Sequence, residues 1–176
     1  MMFNFMRFFH HCIICKHNAP YNLDICEFCY NNLPWIEGIK VRCYICKKRL
    51  YTNKLLICDK CQINKPLFDQ AYVIFSYEQA IKSLLLSLKF NRRLVNGQIL
   101  GKILKKYVLE IWYKNKTLPN AIIPVPLHIK RLRERGFNQA MELARHLSKF
   151  ISIDNSLITK IKNTKAQALL SGKKRI

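Results

Sequence analysis

All eight cysteines of this 176-residue chain fall in its first third, as four Cys-x-x-Cys pairs: Cys12/Cys15, Cys26/Cys29, Cys43/Cys46 and Cys58/Cys61. Ten residues separate the first two pairs, eleven the last two, and thirteen the two halves, so one unit occurs twice. A Cys-x-x-Cys turn brings two thiolates to one point, and two such turns complete the tetrahedron of soft ligands that Zn²⁺ prefers. Eight thiolates in this pattern predict two structural zinc ions. Sequential pairing, first four and second four, is the expected arrangement. Spacing alone also allows a crossed one, with Cys12/Cys15 joining Cys43/Cys46. His10, His11 and His17 adjoin the first site, but four thiolates already saturate an ion, so they are read as surface residues. A closed four-thiolate site has no open position for catalysis, which assigns the ribbons a scaffolding role.

The competing chemistry for eight cysteines is a disulfide framework, which requires an oxidising compartment. Residues 1–11 are apolar but short, broken by Asn4 and Arg7, and lack a small-residue cleavage site. They are read as a brief helix packing on the ribbons. No apolar run reaches membrane-spanning length. The expectation is a soluble, cytoplasmic chain with reduced thiols.

Half of the residues are hydrophobic, which supports a packed core, and the formal net charge is +21. Residues 1–61 carry 9 Lys/Arg against 4 Asp/Glu, and residues 62–176 carry 22 against 6. A field of this sign attracts nucleic acid or phosphorylated ligands. Lysines outnumber arginines 21 to 10 and Gly is scarce, so part of the excess is compositional.

Two domains are expected: residues 1–64, the double zinc ribbon with its N-terminal helix, and residues 65–176. In the second, 71–77 reads as a buried strand and 78–90 as a helix with Ile81, Leu84, Leu85 and Leu88 on one face. Lys89 lies at the end of this helix, and a basic turn containing Arg92 and Arg93 links it to a helix over 97–112. Residues 121–126 read as a strand, 128–136 as a basic loop, 137–150 as a third helix and 157–161 as a third strand. Alternating strands and helices predict an α/β domain with a parallel sheet. The segment 121–139 is the candidate site: a strand runs into Arg131, Arg133, Arg135 and Gly136, and Asn138 and Gln139 open the next helix. Arginine forks and the free N–H groups of a helix start would cradle phosphate.

The string PVPLHIKRLRERGFNQAMELARHL closely resembles the signature of ComF-family proteins, through Pro124 to Leu127 and Arg135 to Ala140. Leu33-Pro34-Trp35, the stretch 68–90 ending Leu88-Lys89-Phe90, and Thr164, Gln167, Leu170, Ser171 and Arg175 agree with it. The resemblance implies an N-terminal double zinc ribbon followed by a type I phosphoribosyltransferase-like parallel sheet with flanking helices. It implies a competence protein acting in DNA uptake and natural transformation, with single-stranded DNA and the DNA-uptake machinery or a helicase as partners. Lys89, Arg92, Arg93, Arg131, Arg133, Arg135, Gly136, Asn138 and Gln139 are the expected phosphate or nucleic-acid contacts. Phe90 and Phe137 are candidates to stack on bases. The family also implies phosphoribosyl pyrophosphate and Mg²⁺ as ligands, bound by a strand ending in two acidic residues. This sequence has no Asp-Asp pair, and its last acidic residue is Asp154. The sheet is therefore expected to be incomplete, the chain to end before that motif, and no catalytic residue is assigned. The other functional readings are a phosphoribosyltransferase-type enzyme and an inactive truncated remnant of one.

Overall fold

The computed structural model describes residues 11–19, 23–36, 41–51 and 56–164. The expected N-terminal helix, and Gln167, Leu170, Ser171 and Arg175, lie outside them. The chain forms two compact units, one comprising residues 1–86 and 106–114, the other 87–105 and 115–176.

In the first unit the cysteine repeat is also a backbone repeat. Cys12 N–H donates to His17 O at 2.7 Å and Lys16 N–H to Cys12 O at 2.8 Å; Cys43 N–H donates to Lys48 O at 2.8 Å and Lys47 N–H to Cys43 O at 2.9 Å. Each knuckle turns through a lysine in the left-handed region, Lys16 at φ 69° and Lys47 at φ 59°. The second cysteine pair of each half opens a one-turn helix, α1 (Glu27–Asn31) capped by Cys26 and α2 (Asp59–Ile63) capped by Cys58. The ribbons are small, so their cores include their own ligands: Cys43, Ile45, Cys58 and Cys61 pack with Leu50 and Ile57.

Trp35 organises the rest of this unit. Its indole N–H donates to Tyr30 O at 2.9 Å, and its ring packs against Tyr30, Phe75 and Tyr107 at centroid distances of 4.9, 4.6 and 5.6 Å. Residues 71–77 are not a strand of the main sheet, as their composition suggests. Phe75 makes a single antiparallel bridge to Trp35, flanked by Ile36 N–H to Ile74 O and Ser76 N–H to Pro34 O. Helix α3 (Gln79–Phe90) follows, with Ile81, Leu84 and Leu88 buried at the predicted spacing and Leu85, expected beside them, half-buried. Helix α4 (Leu94–Lys106) starts three residues before the predicted helix. It widens into a π turn over Tyr107–Trp112 that carries Tyr107 and Val108 into the core of the first unit.

The second unit is built on close helix packing. Gly97 and Gly101 lie one turn apart on α4. A Cβ at Gly97 would sit 3.2 Å from Leu88 Cδ1 and 3.8 Å from Glu142 Cβ, and one at Gly101 would lie 2.8 Å from His146 Cγ. These glycines let α4 approach α6 (Gln139–Ala144), which continues as a 3₁₀ turn over Arg145–Leu147. Leu88, Ile99, Leu100, Ile103, Ala144, Leu147 and Ile151 are buried there.

Strand β1 (Ala121–Ile122) pairs in parallel with β2 (Ser152–Ile153), Ala121 opposite Ser152. The parallel pairing matches the expectation, but two positions differ. The strand expected at 157–161 is irregular and its Leu157 and Ile161 are exposed; β2 lies upstream. Asp154 explains this: its Oδ1 accepts from Ser156 N–H, Ser156 Oγ and Leu157 N–H, a local turn that ends the strand. The basic stretch 128–136 is a helix, α5 (Ile129–Arg135), not a loop. The described residues thus form a mixed helical protein with one short parallel pair.

Candidate functional site

The four thiol sulfurs of Cys12, Cys15, Cys26 and Cys29 lie within 4.8 Å of one another, as do those of Cys43, Cys46, Cys58 and Cys61. The pairing is sequential. Cys15 and Cys26 sulfurs are 3.5 Å apart and those of Cys46 and Cys58 3.7 Å, close to the edge of about 3.8 Å that four Zn–S bonds of about 2.3 Å require in a tetrahedron. No disulfide links them. Each group can therefore hold one zinc ion.

The protonation pattern agrees with a cation site. Burial pushes the Cys12 thiol up, but backbone N–H donors of Cys15, Cys26 and Ile14 outweigh it and bring it down to about 6. Cys43 behaves alike through Cys46, Cys58 and Ile45, also at about 6. Burial, followed by the neighbouring thiols, raises Cys29 far above its ordinary value and pushes Cys61 up to about 12. One thiolate forms readily in each cluster and discourages the next; a divalent cation removes that repulsion.

His11 is not a ligand. Its Nδ1 donates to Lys16 O at 3.2 Å, which closes the first knuckle. Arg42, at the corresponding position of the second ribbon, donates from Nη1 to Lys47 O at 3.1 Å.

The basic segment lies in the second unit. His128 caps α5, its Nδ1 accepting from Lys130 N–H at 3.3 Å. Gly136 ends α5 in the left-handed conformation, φ 82°, and its N–H donates to Leu132 O at 2.8 Å. Among the described residues a Cβ there would meet nothing within 4 Å, so its conformation, rather than a close approach, calls for glycine. Asn138 then caps α6, accepting from Ala140 N–H at 3.0 Å and donating to Val125 O at 3.0 Å. This double bond ties the end of the proline-rich segment to the helix start.

The expected contact residues divide into two groups. Arg92 donates to Glu134 O at 2.7 Å and Arg131 to Thr164 O at 2.6 Å. Arg135 donates to Gln139 Oε1 at 3.0 Å and lies 5.6 Å from the centroid of the Phe90 ring. Burial and then the charge of Arg131 lower its pKa, yet a guanidinium remains a cation at neutral pH. Gln139 is buried, and its Nε2 has no hydrogen-bond partner among the described residues. Arg93 and Arg133 are exposed and Lys89 is half-buried. A cleft of about 360 Å³ opens beyond β1, lined by Pro124, Pro126, Phe137, Asn138, Met141 and Arg145 among others. Arg145 was not a sequence candidate; its ion pair with Glu142, 2.7 Å, is an ordinary i,i+3 helix pair that gives no signal of a site.

Comparison with known proteins completes this picture. The chain is 32% identical over 121 residues to Competence protein F of Haemophilus influenzae, covering 67% of this chain and 53% of that protein. It is 28% identical over 170 residues to DNA utilization protein YhgH of Shigella flexneri, covering 86% of this chain and 73% of that relative. The chain is thus a homologue of Competence protein F and of the YhgH proteins, in agreement with the ComF-family resemblance of its sequence and with its two four-cysteine clusters. It spans about half the length of the Haemophilus relative. YhgH of Escherichia coli K12 matches at 27% over the same 170 residues. No family model matches, and no solved structure does. Among the described residues no helix is long and apolar enough to cross a membrane.

Proposed function

We propose that this chain is a competence or DNA-utilisation protein that binds single-stranded DNA through its phosphate backbone. The observation that carries the reading is the concentration of cations on the α3–α4 turn and on α5 of one compact unit, in a chain whose relatives are named for competence and DNA utilisation. Phosphate contacts supply most of the affinity of non-specific nucleic-acid binding, and they need cations held on a rigid frame. Arg92, Arg131 and Arg135 are held by carbonyls and by Gln139, so they shape the surface and add field. Lys89, Arg93 and Arg133 are the side chains that reach phosphates. Phe90 is exposed and flanked by Arg135, a fit for base stacking.

Zinc, held by Cys12, Cys15, Cys26 and Cys29 and by Cys43, Cys46, Cys58 and Cys61, supplies folding energy to the ribbons. DNA-uptake machinery and a helicase are the partner classes this reading places beside it in the cytoplasm. The test is fluorescence anisotropy of a labelled single-stranded oligonucleotide with the zinc-loaded chain. Each of Lys89→Ala, Arg93→Ala and Arg133→Ala should lower the magnitude of the log-affinity against log-salt slope by about 0.7. Slopes equal to the parent's in all three would contradict this assignment of the contacts.

A further inference from the structure

The two ribbons share one backbone and carry opposite surfaces. Counting described residues, the first (11–19 and 23–29) has one cation, Lys16, against Asp24 and Glu27. The second (41–51 and 56–61) has Arg42, Lys47, Lys48, Arg49 and Lys60 against Asp59 alone. A zinc ion with four thiolates has a net charge of about −2, and nearby cations would offset it. The first ribbon has the same thiolates and lacks those cations, so the fold and the metal do not require them. The first ribbon is an internal control for the second.

The excess is also organised around aromatic rings. Lys48, Arg49, Tyr51 and Lys60 line one depression of about 380 Å³ on the second ribbon. Tyr51 is 89% exposed, with the Arg49 guanidinium 5.6 Å from its ring centroid. A second pair stands on the same knuckle: Tyr44, 56% exposed, with Lys47 Nζ 5.3 Å from its ring centroid. At the corresponding positions the first ribbon has Ile13, His17, Asn18 and Pro20 in place of Tyr44, Lys48, Arg49 and Tyr51. A folding core does not explain a tyrosine that is almost wholly exposed.

We infer that the second zinc ribbon is itself a binding surface for single-stranded DNA, with Lys48, Arg49 and Lys60 taking backbone phosphates and Tyr51 stacking on a base. Exposed rings beside cations suit unpaired bases, whose faces are open, whereas duplex bases are stacked on one another. This inference rests on the DNA-binding reading above but places contacts on a different unit of the chain, and it gives the ribbon a role beyond scaffolding.

The test uses the full zinc-loaded chain and two variants. The ribbon variant takes Lys48→His and Arg49→Asn, the residues the first ribbon carries at these positions, together with Tyr51→Ala. The second variant combines Lys89→Ala, Arg93→Ala and Arg133→Ala. Two zinc ions per chain, measured by metal analysis, establish that each variant is folded at the ribbons. For the ribbon variant we expect at least a tenfold loss of affinity for single-stranded DNA and a salt slope smaller in magnitude by about 1.4, the share of two phosphate contacts. Loss of affinity for a duplex of equal length should be smaller. Ultraviolet crosslinking of the parent should place the oligonucleotide on the peptide containing Tyr51. A zinc-loaded ribbon variant with parental affinity, while the other variant binds weakly, would overturn the ribbon surface and leave the DNA-binding reading standing. No binding by the parent would overturn both.

Discussion

His11 and Arg42 make the same bond at the same position of the two ribbons. His11 Nδ1 donates to Lys16 O at 3.2 Å and Arg42 Nη1 to Lys47 O at 3.1 Å. Each acceptor belongs to the lysine whose left-handed backbone closes the knuckle. A side chain with a donor at this position is thus part of how each Cys-x-x-Cys turn holds its shape. Arg42→Ala should therefore cost about 1 kcal/mol. Competition with a chromophoric chelator should show zinc leaving the second site about five times more readily, with the first site unchanged. Equal affinities would show that the bond does not matter.

The same turns carry backbone strain. A lysine in the left-handed region costs about 1–2 kcal/mol, and glycine avoids that at the expense of about 0.5–1 kcal/mol of chain entropy. Lys16→Gly and Lys47→Gly should each stabilise a zinc-loaded ribbon by a few tenths to about 1 kcal/mol. Slower zinc transfer to a chelator would register it; faster transfer would contradict it.

Thiol protonation makes a third prediction about the metal centres. Cys12 and Cys43 sit at about 6 in the metal-free chain, whereas Cys29 and Cys61 are pushed upward. At pH 8 Cys12 and Cys43 are already thiolates, so loading one zinc ion releases at most three protons per site. Below pH 6 the release rises toward four, and zinc affinity falls with it. Proton release measured with an indicator dye should rise as pH falls. A value independent of pH would rule out the preformed thiolates.

Helix packing in the second unit turns on Gly101. Alanine in a helix interior ordinarily gains about 1 kcal/mol over glycine, but here its Cβ would meet the His146 ring. Gly101→Ala should destabilise this unit by about 1–3 kcal/mol, as overpacking does. Gly97→Ala, whose tightest neighbour is a leucine methyl at 3.2 Å, should be close to neutral. Thermal unfolding distinguishes the two. Equal midpoints would mean that α4 and α6 separate at little cost.

His146 adds a pH dependence. Burial first, then Lys102, hold its pKa below the ordinary 6.5. The unfolded chain therefore binds this proton more readily than the folded one. Its contribution to stability is complete above pH 6.5 and is lost as pH falls through the depressed value. Urea unfolding at pH 7.5 and pH 5.5 should show a loss of stability at the lower pH that shrinks in His146→Gln. An unchanged difference would assign the effect to other groups.

The cysteine pairs and the helices around Leu88 and Ile99 were legible in the sequence because spacing dictates them. The Cys-x-x-Cys pairs were plain from spacing, but the choice of the sequential over the crossed ligand sets came from the structure; the buried face of α3 follows from the i, i+3, i+7 spacing of Ile81, Leu84 and Leu88. Helix α5 was hidden because its cap is a histidine, His128, rather than Ser, Thr, Asp or Asn, and because only Ile129 and Leu132 mark its apolar period. The strand composition of 157–161 misled because Asp154 diverts the backbone into a turn just after β2. Residues 71–77 read as strand because Phe75 and its neighbours are apolar, yet their partner is Trp35, a tertiary contact that no local pattern encodes. The arginines were identifiable as cations, but not their division into Arg92 and Arg131, bound to backbone carbonyls although Arg92 is itself exposed, and the exposed Arg93 and Arg133. Side-chain hydrogen bonds across 42 and 33 residues decide that division.

The most direct test of the DNA-handling account is the affinity of the zinc-loaded chain for a single-stranded oligonucleotide from 50 to 300 mM salt. Tight binding at low salt is expected, with log affinity falling steeply and linearly against log salt, because each phosphate contact releases condensed counterions. Weak binding that ignores salt would contradict it, and the +21 charge would then be composition rather than an interface.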